Sequence, residues 1–253
     1  MSSTFIKLAA PCFLIAFGSG LLCFTLAHSD EPESVTSAKT ALAPLQTLVG
    51  EWNGAGQPRR GSNVGAWSET CDWAWHFATK EKVPTAELRA VLKDGKYYAQ
   101  LVIEPGTKAK QFRITGTLPD GKTTEVFDAA LDNAGTLTAT RARDQENAAK
   151  EISADRPVRI TLKTVANGDR LVVLYERAAG EGYARLAEVG ATRVGGMFAA
   201  GAAGPECIVT GGRGTIAVTH AGQTYYVCCS GCKEAFDADP AGIIAEYQAR
   251  KKK

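Results

Sequence analysis

Four of the seven cysteines fall in the last fifty or so residues of the chain: Cys207, then after twenty residues the adjacent pair Cys228 and Cys229, then Cys232. Thiolate sulfur is a soft ligand that favours Cu(I) or Zn(II), and it leaves calcium and magnesium to oxygen donors. Cysteines that return at short intervals after a long gap are therefore candidate metal ligands, provided that the chain between them folds back. Thr215 to Thr219 and Gln223 to Cys228 read as two strands joined at His220-Ala221-Gly222, and such a hairpin brings Cys228 back towards Cys207. Ser230 can cap a short helix that carries Cys232 and Phe236. Asp239-Pro240 reads as a cap and first-turn proline opening a last helix, with Ile243, Ile244 and Tyr247 as its apolar stripe. A unit from Pro205 to Lys253 is too small to be held by such a core alone, so disulfides or a metal are expected to supplement it.

Which of the adjacent cysteines ligates is left open. If both do, four thiolates make a closed site of the structural zinc type; if one does, a fourth position is free for His220, water or a passing ion. A metal that only staples the mini-domain together is a further reading. Cys229-Ser230-Gly231-Cys232 is also a Cys-x-x-Cys, so a thiol–disulfide function of Cys229 and Cys232 is the competitor from another class. That competitor lacks a thioredoxin-like βαβ context.

The spacing of Cys207, Cys228 and Cys232, together with Gly222-Gln223-Thr224-Tyr225-Tyr226-Val227-Cys228-Cys229 and Lys233-Glu234-Ala235-Phe236-Asp237-Ala238-Asp239-Pro240, resembles the TRASH/YHS domains over about forty residues. These are small treble-clef-like modules associated with heavy-metal handling. The resemblance implies Cys207, Cys228 and Cys232 as ligands, with Cys229 as a departure that offers a second pairing.

A larger domain precedes this module. From Glu51 to about Gly195 the apolar pattern has period two, with turn signals at short intervals, which marks a sandwich or barrel. Ten strands are predicted, near 50–55, 65–77, 86–93, 96–104, 111–117, 123–130, 136–142, 157–164, 170–177 and 182–190. The second puts Trp67, Glu69, Cys71, Trp73, Trp75 and Phe77 on one face. Hairpin turns are expected at Lys93-Asp94-Gly95-Lys96, Pro119-Asp120-Gly121-Lys122, Asp132-Asn133-Ala134-Gly135 and Asn167-Gly168-Asp169. The fold class is thus mainly β: an antiparallel meander barrel of about ten strands plus a small α+β cysteine module.

Leu45 to Gly54, with Gly50, Trp52 and Gly54, resembles the opening of lipocalin-like (calycin) barrels, where a helical turn leads into a Gly-x-Trp whose tryptophan plugs the closed end. The outline is also similar to haem-binding nitrobindin-type barrels, which depend on a histidine late in the barrel. No histidine lies between His76 and His220, so haem is not expected. The tryptophans of the second strand read as core before they read as a ligand cavity. His76 faces the other way, with no nucleophile motif beside it, and Cys71 reads as a small buried hydrophobe.

Lys7 is followed from Leu8 to Ala27 by twenty uncharged residues, ending at Ala27-His28-Ser29. Residues 1–29 are expected to be an export signal or, being about long enough to span a bilayer, an uncleaved membrane anchor. Residues 30–42 read as a polar linker, 43–196 as the barrel, 197–204 as an Ala/Gly linker and 205–253 as the metal-binding domain. With 29 basic and 27 acidic residues and no clustered basic face, nucleic acid is not an expected partner. The combined expectation is an extracytoplasmic, periplasmic or secreted, non-enzymatic protein that binds Zn or Cu(I). The alternatives are a thiol–disulfide protein, or a lipocalin-like carrier of a small apolar ligand with a purely structural metal.

Overall fold

The computed structural model describes residues 33–80, 83–142, 155–195 and 204–252. The expectations for residues 1–29 and for most of the 197–204 linker lie outside the described residues. Among the described residues no helix is long and apolar enough to cross a membrane.

Ten antiparallel strands form the barrel: β1 (Gly50–Gln57), β2 (Trp67–Lys80), β3 (Val83–Lys93), β4 (Gln100–Pro105), β5 (Gln111–Thr117), β6 (Thr124–Leu131), β7 (Thr136–Arg141), β8 (Arg159–Val165), β9 (Arg170–Ala179) and β10 (Gly182–Arg193). Each pairs with its sequence neighbour, and β10 returns to pair with β1, so the meander closes with no free edge. The period-two reading holds on β2, where Glu69, Trp73 and Trp75 are buried and Ser68, Thr70 and Asp72 exposed. The turns form as their chemistry demands. Gly121 and Gly135 take positive φ (70° and 76°), and the carboxylates of Asp120 and Asp132 accept the backbone N–H groups of Lys122 and Ala134. The start of the fourth strand differs from the predicted 96: Tyr97 and Tyr98 are both buried, which breaks the alternation and holds them in the turn before Gln100.

The segment just before β1 packs against the barrel core. A 3-10 turn, Ala43–Leu48, buries Leu45 and Leu48. Trp52 is fully buried and donates its indole N–H to the carbonyl of Leu48 at 2.8 Å. Arg193, at the end of β10, lies over the Trp52 ring at 4.1 Å and donates to the carbonyls of Thr47, Val49 and Gly168. One guanidinium thus ties the last strand of the barrel to its first turn. Across the barrel, Tyr98 donates its hydroxyl to Glu125, and Arg141 and Arg156 pair with the same carboxylate at 2.7 and 2.9 Å. This buried network fills one region of the wall with polar contacts. A cavity of about 20 Å³ remains inside, lined by Glu69, Cys71, Trp73 and Tyr175 among others. That is room for about one water molecule.

Two features depart from the expected layout. Residues 33–42, read as linker, are helical: α1 (Glu33–Leu42) packs on β3 and β4. Ala38 and Leu42, one turn apart, face the core, with Leu42 fully buried. Second, β2 and β3 run past β1. Gly50, the first residue of β1, opposes Trp73, whereas β2 and β3 stay paired as far as Lys80 and Val83. The resulting two-stranded extension is where the C-terminal module docks.

Candidate metal centre

The module is a hairpin and two helices. β11 (Ile216–His220) and β12 (Gln223–Val227) pair antiparallel around Ala221 and Gly222, both at positive φ. Ile216 therefore opposes Val227, at the end of the hairpin from which Cys228 emerges. The preceding segment is laid beside it: Ile208 donates its N–H to the Tyr226 carbonyl at 3.0 Å, and Thr215 donates to Val227 at 2.8 Å. Cys207 sits in a tight loop closed by its own N–H to Gly212 and by the Gly211 N–H to its carbonyl. α2 (Ser230–Ala238) starts at once after β12, with Cys229 at the N-cap position expected for Ser230 and Cys232 in the first turn. α3 (Pro240–Lys251) is opened by Asp239, whose carboxylate accepts the Gly242 N–H at 2.9 Å. Arg250 of α3 reaches back to the carbonyls of Ile208 and Val209, and Lys251 pairs with Glu206 at 2.6 Å, so α3 braces the Cys207 loop.

These elements bring the sulfurs of Cys207, Cys228 and Cys232 within 4.8 Å of one another, all three residues buried. The Cys228 and Cys232 sulfurs are 3.5 Å apart. Thiolates at about 2.3 Å from one tetrahedral ion would stand about 3.8 Å apart, so the three donors fit a thiolate-bound zinc or Cu(I) in type and spacing. Cys229 touches the same cluster, 3.8 Å from Cys228, but it lies outside the mutual group formed with Cys207. Its sulfur instead accepts the backbone N–H of Trp75 on β2 at 3.3 Å. The thiols of Cys228 and Cys232 donate towards Cys207, which with the Thr210 donors lowers its pKa. The same two thiols, with the Trp75 N–H, lower the pKa of Cys229. Cys228 and Cys232, the donors in this arrangement, are pushed up. A metal ion would replace the shared protons.

His220, offered by the sequence as a fourth ligand, is at the hairpin turn with its ring edge-on to Phe236 and takes no part in the cluster. The register explains why: the turn is the end of the hairpin opposite to Cys228. Cys71 belongs to the barrel interior, where burial pushes its thiol up. What sequence reasoning missed is the barrel's share in the site. Gln46, from the 3-10 turn, accepts the Trp75 indole N–H at 2.8 Å and directs its amide N–H towards the Cys228 sulfur at 3.7 Å. Gly231 of α2 lies so close to β2 that a Cβ there would stand 1.6 Å from the Trp75 carbonyl oxygen.

The fold and the site define a closed ten-stranded antiparallel barrel with a C-terminal cysteine cluster that can hold a metal ion. No protein-family model matches the chain, and no curated protein matches it. Among solved structures, the "Crystal Structure of Rv2717c from M. tuberculosis" aligns with 61% of this chain and 97% of its own at 15% identity, with a TM-score of 0.36. A likeness of that degree carries nothing about function.

Proposed function

We propose that this chain is an exported, non-enzymatic protein that binds one soft metal ion, Zn(II) or Cu(I), through Cys207, Cys228 and Cys232, in a module of the TRASH/YHS type. The observation that carries the reading is the three buried sulfurs within 4.8 Å of one another. Cys228 is preferred to Cys229 as a ligand because it belongs to that group, while Cys229 is engaged by the Trp75 N–H and stands by as a fourth sulfur. The barrel serves as scaffold, a role supported by an interior with room for about one water molecule. Burial weighs against the thiol–disulfide reading, since Cys229 is 5% and Cys232 0% exposed and exchange needs an attackable sulfur.

The test is metal content by mass spectrometry on anaerobically purified full chain, beside a free-thiol count. About one Zn or Cu per chain is expected, and Cys207→Ser should abolish it, exceeding the about 10–100-fold losses typical of outer-sphere changes. Intact metal affinity in Cys207→Ser would refute the ligand assignment. Absence of metal with Cys229 and Cys232 oxidised would favour the redox reading.

A further inference from the structure

We propose that the barrel is part of the metal centre, with Gln46 of the 3-10 turn as the residue that positions the Cys228 sulfur for its ion. This rests on the metal reading above and assigns a barrel residue to the same site.

The orientation of the Gln46 amide follows from its neighbours. Amide oxygen and nitrogen are told apart by what surrounds them. The Trp75 indole N–H is donor only. It points at Gln46 from 2.8 Å and so requires the amide oxygen. The NH₂ group must then face the other way, where the Cys228 sulfur lies 3.7 Å off. Trp75 is itself fixed, 1% exposed in the barrel core with its ring stacked on Phe77. Gln46 is held from below by the 3-10 turn, whose Leu45 and Leu48 are buried. The module leaves room for it: a Cβ on Gly212, in the turn after Cys207, would stand 2.1 Å from the Gln46 amide nitrogen. A neutral donor clamped between a core tryptophan and a cysteine sulfur is the arrangement that orients a ligand and offsets its negative charge.

The charge argument gives the direction. Three or four thiolates around one ion carry a net negative charge, and each N–H directed at a sulfur reduces the repulsion among them. Gln46 and the Trp75 backbone N–H, from the barrel, supply two such donors to adjacent sulfurs, those of Cys228 and Cys229. Metal capture by the module is thereby tied to its seat on the barrel.

The probe is Co(II), a spectroscopic stand-in for zinc, titrated into the full chain. Gln46→Glu keeps the length and the acceptor for Trp75 but turns an anionic oxygen towards Cys228. Gln46→Met removes the donor without adding charge. Gln46→Glu is expected to lower Co(II) affinity by about 10–100-fold, and Gln46→Met by about tenfold. In both, the thiolate-to-cobalt charge-transfer band should shift while tryptophan fluorescence shows a folded barrel. Affinity and band unchanged in both variants overturn the role of Gln46 and leave the metal reading standing. A loss confined to Gln46→Glu marks plain charge repulsion and overturns it as well. A wild-type chain that takes up neither Co(II) nor Zn(II) overturns the metal reading and this inference with it.

Discussion

Glu69 carries a carboxyl into the barrel interior, beside Cys71 and Tyr175 in the wall of the cavity. It accepts the Trp67 indole N–H at 2.7 Å, yet burial outweighs that bond and raises its pKa above the ordinary 4.5. A carboxyl raised on folding makes the folded state the stronger proton binder. Its contribution to stability is fullest below pH 4.5 and declines as pH rises through 4.5 to the raised value. Glu69→Gln should therefore stabilise the chain at neutral pH, where each kcal/mol gained raises Tm by about 2–4 °C at this size. Thermal melts of both chains at several pH values check it, and a gain as large below pH 4.5 would refute the burial account. At this scale Cys207, Cys228 and Cys232 were legible because ligand type and spacing lie in one short segment. Gln46 and Trp75 were not, since they stand 182 and 154 residues from the cysteines they meet. Only the folded barrel makes those pairs neighbours.

Among the elements, all ten barrel strands were legible, because alternation marks most of their length, with breaks such as Tyr175–Glu176 on β9, and most turns carry Gly, Asn or Asp where φ is positive, Lys110 and Ala166 being exceptions. α1 was not, since its run of small and polar residues matches a linker in composition, although Ala38 and Leu42 pack against the core. Arg193 was equally hidden: a lone arginine at a strand end has no pattern, and its value lies in the three carbonyls that the 3-10 turn and β8–β9 connection present to it. The contact between α2 and β2 depends on Gly231. Its missing Cβ would collide with backbone rather than with a movable side chain, so Gly231→Ala must push α2 off β2 or distort both. The expected cost is about 1–3 kcal/mol, as for other overpacked sites. The same variant should release bound metal faster to a chelator, because Cys229 and Cys232 ride on the displaced end of α2. Unchanged melting and unchanged release would show that the helix seats elsewhere.

At the scale of the molecule, residues 197–204 read as an Ala/Gly linker between the barrel and the module, and Pro32 to Lys253 cluster as one compact unit. The join is chemical as well as steric. Asp169 of the barrel pairs with Arg213, Lys39 of α1 with Glu246 of α3, and Gln46 and Trp75 of the barrel with the cysteine cluster. Exposed pairs such as Lys39–Glu246 contribute little. The buried contacts around Trp75 couple the parts, because separating them would expose Trp75 and the buried cysteines to water and give up the contacts between them. Folding of the barrel and folding of the module should then be one event, and a ligand that binds only the folded module should stabilise the whole. Saturating zinc at about a hundredfold above Kd adds about 2.7 kcal/mol to the stability of whatever unfolds with the site. The full chain should accordingly melt in a single transition whether followed by tryptophan fluorescence or by bound metal, and zinc should move that transition upward. If zinc shifts only a minor transition while the tryptophans of the barrel melt where they did without it, the module is an independent passenger. The coupling drawn through Gln46 and Trp75 then does not exist.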